Sequence, residues 1–430
     1  MNTSVPDKTL FNWLSWLEST RPEQDIELGL DRIRAVGSQL NLLTPAPFVI
    51  TVAGTNGKGS TIALLEAILL KAGYKVGVFT SPHFIAFNER VRINGEQVSD
   101  ESLCDAFSLI NKGRGNTWLT YFEFATLAAV DCFQKANIDI ALMEVGLGGR
   151  LDATNVVEPD VSIVTTVDLD HQDWLGYSIE AIGKEKAGIF RTGKPALYGD
   201  SPIPLSVLDQ AIRKETPLFR RDHEYSLNRT LDSWSWRGVA ADGDKIQLDH
   251  LPVPGLILDN AATALQALQF VPKKMSAEAI IEGLKSARLP GRYQELKLEN
   301  EAHEPINILL DVAHNPQAAK QLANKLSSTP VAGKTRMIIA MYGDKDCSSV
   351  IESLSDTVDE WLVTEFESPR ALAAATLCEV LVAHQQSYTQ ISTVKQALQK
   401  ALKASSKKDR VVVAGSFITV AEVLTELQQL

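Results

Sequence analysis

The 430-residue chain is long enough for two or three domains, each with its own core, and 45% apolar with 22% charged residues is an ordinary globular composition. A net charge of −11 leaves no basic excess to displace counterions, which argues against a nucleic-acid surface but not against small anionic ligands. Cys104, Cys132, Cys347 and Cys378 are scattered and read as reduced core thiols of a cytosolic protein; the chain shows neither a signal-peptide pattern nor an apolar run of the roughly 18 residues a membrane span needs.

Leu10, Trp13, Leu14 and Leu17 predict a helix over 9–20, stopped by Arg21-Pro22. A second helix is expected over 27–42, from Leu28, Leu30, Ile33, Val36 and Leu40. The β-branched run Val49–Val52 then meets a glycine-rich turn, Gly54-Thr55-Asn56-Gly57-Lys58-Gly59-Ser60, followed by a helical apolar pattern from Ile62 to Leu70. Strand, loop and helix in that order make a phosphate cradle. Loop N–H groups and the helix N-terminus face the anion, and Lys58 adds a full positive charge. The turn departs from the strict P-loop pattern, because Val52 stands where the first glycine belongs and Gly59 where a magnesium-binding hydroxyl belongs. A turn that merely packs a helix on a sheet is the alternative, and it leaves Lys58 without a task.

Tyr74–Phe79 reads as a strand ending at Thr80-Ser81-Pro82-His83, and Asn88–Gly95 as a charged turn. Thr120–Glu123 opens a long apolar helix. Ile138–Val145 is a buried strand with Glu144 near its end, Gly146–Asn155 a polar loop, and Val161–Val167 a strand ending near Asp168, Asp170 and His171. Strands alternating with helices imply a mostly parallel sheet covered on both faces, an α/β architecture. Ligands of such sheets gather at the strands' carboxyl ends. Lys58, Ser81, Glu144 and His171 each follow a separate predicted strand there. The last three could hold Mg²⁺ beside a phosphate, Ser81 and Glu144 more naturally than a histidine. The plainer alternatives are a turn hydroxyl, a helix-capping carboxylate and a core or surface histidine.

Ser178–Ile189, with Lys184 and Lys186, reads on its own as a helix with a solvated charged face. Residues 220–254 carry Trp234 and Trp236 in a hairpin-like pattern, and Asp259 or Asn260 is a natural cap for the helix that follows. Pro290-Gly291 and the polar stretch 297–304 mark the expected boundary: a P-loop ATP-binding domain over 1–287, a linker over 288–304 and a smaller Rossmann-like α/β domain over 305–430. In the latter, Ile306–Leu310 runs into Asp311–Pro316, with Asn315 a cap and Pro316 in the first turn; strands are also expected over 336–341, 361–364 and 410–414.

Taken in order, Gly54–Ser60, Thr80–His83, Asn88–Arg90, Glu144–Arg150, Asp168–His171, Lys184–Gly188, Leu289–Arg292 and Asp311–Pro316 resemble the folylpolyglutamate synthases, relatives of the Mur ligases, from about residue 20 to the C-terminus. The resemblance implies a cytoplasmic ligase that activates a carboxylate with ATP as an acyl phosphate and joins it to L-glutamate, with the two domains closing over the intermediate. Magnesium, two ions in all, would be held by Ser81, Glu144, His171 and Lys186, the last as a carbamate formed from CO₂; Lys58, His171 and Lys186 would serve catalysis. Asn260, Arg292 and Asp311 would join Gly54–Ser60 on ATP. Segments similar to the dihydropteroate-binding ones of the bifunctional type are Glu27-Leu28-Gly29-Leu30, Thr120-Tyr121-Phe122-Glu123 and Asp152-Ala153-Thr154, so dihydropteroate and tetrahydrofolates are the expected substrates. Arg90, His314 and Ser416 are matched loosely to the incoming glutamate. The alternatives are tail extension alone, a Mur-type substrate, or a nucleotide switch that would leave Glu144, His171 and Lys186 without work. No long heptad seam is present, so a monomer is expected.

Overall fold

The structure, a computed structural model, describes residues 9–20, 22–23 and 25–428. The expected stop at Arg21 and the N-terminal stretch before Thr9 lie outside the described residues. Two units result, one ending at Ala287 and the other beginning at Arg288.

In the first unit, eight strands form one sheet: β1 (Phe48–Ala53), β2 (Val76–Phe79), β3 (Val91–Ile93), β4 (Glu96–Gln97), β5 (Ile140–Glu144), β6 (Val161–Val164), β7 (Ala196–Tyr198) and β8 (Leu218–Arg220). Their order is β4-β3-β2-β5-β1-β6-β7-β8. The six from β2 to β8 run parallel; β3 and β4 are antiparallel. The central strands are buried on both faces, which is why they read as continuous apolar runs. Asn88–Gly95 is thus not simply a turn. It overlaps a 3₁₀ turn, Phe87–Arg90, and holds the first strand and turn of the edge hairpin, with Val91 fully buried.

Helices α1 (Leu10–Thr20), α2 (Asp31–Leu40), α3 (Lys58–Lys71), α4 (Asp100–Gly113) and α5 (Tyr121–Ala136) belong to this unit, as do α6 (Gln172–Leu175) and α7 (Ile179–Lys186). Leu10, Trp13 and Leu17 of α1 join one core with Phe107 of α4 and Phe124 of α5. Helix α2 begins at Asp31, four residues later than its apolar spacing predicts, so Glu27–Leu30 is loop. Strands β9 (Ser226–Arg229), β10 (Trp234–Val239) and β11 (Lys245–Leu251) form a separate antiparallel sheet. Its Trp236 is buried and donates through Nε1 to Ala262 O (3.1 Å) on the helix Leu258–Ala267, which fixes this small sheet against that helix.

The second unit holds β12 (Gln294–Glu299), β13 (Pro305–Leu310), β14 (Thr335–Ile339), β15 (Glu360–Val363), β16 (Tyr388–Gln390) and β17 (Arg410–Ala414), in the order β12-β13-β17-β14-β15-β16. All pairs are parallel except β12 with β13. The stretch expected as linker therefore contains an edge strand. Its leucines alternate with charged residues, Leu296 and Leu298 half-buried and Glu295, Lys297 and Glu299 exposed, which is the two-residue period of a half-covered strand.

Candidate active site

Gly57 caps α3 with φ 87°, a left-handed conformation that glycine adopts without a Cβ penalty. A Cβ there would lie 2.6 Å from Asn260 Oδ1, so the loop turns directly against this side chain. Asn260 is buried, and its Nδ2 has no hydrogen-bond partner among the described residues. A buried donor of this kind is one that an acceptor on a ligand at the loop could satisfy. Lys58 Nζ donates to Gly54 O (3.0 Å) and Thr55 O (3.4 Å), which holds the ammonium over the turn. The segment that follows β6 buttresses the loop. Thr166 Oγ1 accepts from Asn56 N (3.0 Å), Thr165 Oγ1 donates to Asn56 O (2.6 Å), and Thr55 Oγ1 accepts from Asp168 N (3.0 Å). Threonines 165 and 166 escaped the sequence reading because in sequence they are simply the end of a β-branched strand.

The strand order brings the expected groups to four neighbouring strand ends. Ser81 follows β2, Glu144 ends β5, the phosphate loop follows β1, and His171 follows β6. Ser81 N donates to Glu144 Oε2 (3.2 Å), and Glu144 is buried. His171, at φ 50°, caps α6 and lies 4.0 Å from the Asp170 carboxylate. Lys186 is not on a solvated face: it is buried at the end of α7. Burial, and then the positive charge of Lys58, push its ammonium down to about 7, against the pull of Asp170 and Asp152. Lys186 thus feels the charges of the loop lysine and of Asp170 and Asp152. Among the described residues no three His, Cys, Asp or Glu side chains form a ready metal site. Of those four residue types the expected set contains only Glu144 and His171, so a hard cation would also need Ser81 and an oxygen ligand on Lys186.

The three expected pterin segments are joined. Gly29 N donates to Leu151 O (3.2 Å), beside Asp152. Arg32 is ion-paired to Glu27 and, at 3.4 Å, to Glu123. Thr120 and Glu123 form a capping box at the start of α5, with Thr120 N to Glu123 Oε2 at 2.7 Å and Glu123 N to Thr120 Oγ1 at 3.1 Å. Tyr121 is buried while the Phe122 ring is partly open. A Cβ on Gly146 would meet the Phe122 ring at 2.7 Å and Asp152 Oδ2 at 3.2 Å, so these segments abut the loop two residues beyond Glu144. Asp152 is wholly buried. Its carboxylate accepts from Leu147 N (2.9 Å), Thr154 N (3.0 Å) and Thr154 Oγ1 (2.6 Å); burial pushes its pKa up and these donors pull it back. Asp152→Ala would strand those donors and is expected to destabilise the protein by about 3 kcal/mol, measured by urea unfolding. A change under about 1 kcal/mol would mean the carboxylate does not organise this loop.

Arg90 is fully buried. Its Nε donates to His83 Nδ1 (2.8 Å), its Nη2 pairs with Glu23 (2.7 Å), and its Nη1 has no hydrogen-bond partner among the described residues. Burial, and then the Arg90 charge, lower the pKa of His83. In the second unit, the buried Asp311 carboxylate accepts from Tyr293 N (3.0 Å) and Ala313 N (2.9 Å), and Arg292 stabilises its charge against burial. Arg292 lies over the Phe417 ring at 5.0 Å, next to the buried Ser416. His314 Nδ1 contacts Val312 O (2.8 Å), and Gly415 N donates to Ala313 O (2.9 Å). Arg292, Asp311, His314 and Ser416 thus gather at the ends of the adjacent strands β13 and β17.

Residues 52–199 match the Mur ligase middle domain and residues 291–417 the Mur ligase glutamate ligase domain. The chain is 43% identical over 415 residues to the dihydrofolate synthase/folylpolyglutamate synthase of Escherichia coli, covering 96% of this chain and 94% of that protein; the Haemophilus influenzae protein of the same name is 40% identical over 427 residues, 96% of each. E. coli FolC in complex with DHPP and ADP is similar at TM-score 0.93 and 42% identity, over 99% of both chains. A Yersinia pestis bifunctional folylpolyglutamate synthase/dihydrofolate synthase with Mn, AMPPNP and L-glutamate bound is similar at TM-score 0.89 and 45% identity, over 99% and 98%. With the phosphate loop, the ordered motifs and both domains accounted for, the chain belongs to the bacterial dihydrofolate synthase/folylpolyglutamate synthase family of the Mur ligase superfamily.

Proposed function

We propose that the protein is an ATP-dependent ligase that joins L-glutamate to 7,8-dihydropteroate and then adds glutamate to the γ-carboxylate of tetrahydrofolates. The packing of Phe122 and Asp152 against Gly146, just beyond Glu144, carries this reading: it sets the dihydropteroate segments beside the strand ends that present the phosphate loop. Relatives with DHPP and ADP, and with AMPPNP and L-glutamate, supply substrates of matching chemistry.

Hydroxide is a poor leaving group, so the substrate carboxylate must be activated. Its oxygen attacks the γ-phosphorus of ATP, ADP leaves, and an acyl phosphate forms. The glutamate amine attacks the acyl carbon, the tetrahedral adduct expels phosphate, and the amine gives up a proton. Gly54–Ser60 and Asn260 bind the nucleotide, and Lys58 offsets charge on the transferring phosphoryl group. The divalent ions, Mg²⁺ in this reading, would be held by Ser81, Glu144, His171 and a carbamate on Lys186, and when bound they neutralise phosphate charge. Carbamate formation needs a neutral amine, which a Lys186 pKa of about 7 supplies; CO₂ adds to the nitrogen and one proton leaves. Arg292 and Asp311 are assigned to the nucleotide, and Arg90, His314 and Ser416 to the incoming glutamate, on family resemblance.

The test is ATP- and glutamate-dependent product formation from dihydropteroate or from tetrahydrofolate, followed by mass spectrometry. Product from both is expected. Product from tetrahydrofolate alone would reduce the reading to tail extension, and product from neither, with ATP still bound, would point to a Mur-type substrate.

A further inference from the structure

We propose that Arg32 is a positioning residue that sets the dihydropteroate site, an inference that rests on the bifunctional reading above. Arg32 sits in the first turn of α2 and is only partly exposed. On one side it is ion-paired to the Glu27 carboxylate and donates through Nη2 to Glu27 O (2.9 Å). On the other its guanidinium reaches both Glu123 oxygens, Nε to Oε2 at 3.5 Å and Nη2 to Oε1 at 3.4 Å. Its Cζ lies 5.3 Å from the Trp118 ring centroid.

Each contact has a consequence. The Glu27 side ties down a loop that lies outside the helices and strands and that is also held by Gly29 N to Leu151 O (3.2 Å) and Arg34 N to Leu30 O (2.9 Å). On the Glu123 side the carboxylate is buried. Oε2 is already committed to the Thr120 amide, while among the described residues Oε1 has no hydrogen-bond partner and is balanced by the Arg32 ion pair. Trp118 confines the guanidinium plane. One planar cation therefore ties the Glu27 segment to the Thr120 segment. A lysine ammonium lacks the fork needed to hold two carboxylates at once. Arg32 acts through the segments it joins, so its loss should be felt where dihydropteroate binds and not in ATP chemistry.

The experiment uses the full chain with Arg32→Met and Arg32→Lys, measuring kcat and KM for both substrates along with ADP affinity. For Arg32→Met the KM for dihydropteroate should rise about tenfold or more, about 1.4 kcal/mol or more, with kcat and tetrahydrofolate extension held within about twofold. Arg32→Lys should fall between Met and wild type. If Arg32→Met no longer binds ADP and has lost its fold, the lysine variant decides by the same KM ratio. Equal losses on both substrates, an unchanged dihydropteroate KM, or a lysine as good as arginine would each overturn the inference. A wild-type protein that ignores dihydropteroate would instead remove the bifunctional reading, and this inference with it.

Discussion

Lys58→Ala should lower turnover on either substrate by roughly 10²–10³-fold or more, the usual loss when one aimed donor is removed from a developing charge. The residue sits at the first turn of α3, where alanine is a good helix former, and its Nζ donates to two loop carbonyls. Stability should therefore stay within about 1 kcal/mol of wild type, so the loss can be read as catalysis and not as unfolding. A second effect follows from the neighbourhood. The Lys58 charge helps depress the Lys186 pKa, so its removal should raise that pKa and shift the onset of activity to higher pH in whatever turnover survives. Lys58→Arg keeps a charge but not a compact one, and is expected to recover little. Steady-state kinetics with a melting curve on the same samples checks all three; near-normal ligase activity in Lys58→Ala would refute the phosphate-loop assignment.

The parallel sheet and the polar groups at four neighbouring strand ends were legible because a strand buried on both faces leaves one kind of sequence trace, a β-branched run, and the polar groups that follow it stand out. Other features leave no such trace. Leu28 and Leu30 continue the apolar spacing of α2, so the loop that carries Glu27 reads as helix, and Leu30 at the cap offers no side-chain signal that the helix has yet to begin. Arg32 consequently reads as one more charged helix residue. Its two carboxylate partners are 5 and 91 residues away, and only folding brings the second within reach. The edge strand β12 was legible in principle, since its leucines alternate with charges, but the charges dominate the reading. Asp311 could be placed at a strand end, whereas the ring of Phe417 under Arg292 is a tertiary contact with no sequence signature.

Lys186 makes the sharpest case, because one residue type served two opposite readings. Lys184 and Lys186 are two apart on α7, and residues at that spacing do not share a helix face; Lys184 is exposed and Lys186 buried. A buried lysine of ordinary purpose is hard to justify, since it costs stability. The sign can be worked out. The unfolded amine holds its proton up to about 10.5, the folded one only to about 7. Between those values the unfolded state binds more protons, so stability rises with pH, and below about 7 the full penalty remains. Lys186→Met should thus be more stable than wild type in CO₂-free buffer near neutral pH, by up to about 5 kcal/mol, with the advantage fading toward pH 10. Activity should move the other way and fall at least about 100-fold, because no carbamate can form. In wild type, activity at fixed bicarbonate should drop as pH falls through about 7, where the neutral amine disappears, and labelled bicarbonate should give a carbamate resonance that Lys186→Met lacks. Formate or acetate should partly restore Lys186→Ala, by supplying the missing oxygens, and should do nothing for Lys58→Ala. A Lys186→Met protein that is stabilised yet fully active would leave the buried amine without a catalytic role. One that is inactive but destabilised would make it a structural residue whose charge is compensated more fully than its burial implies.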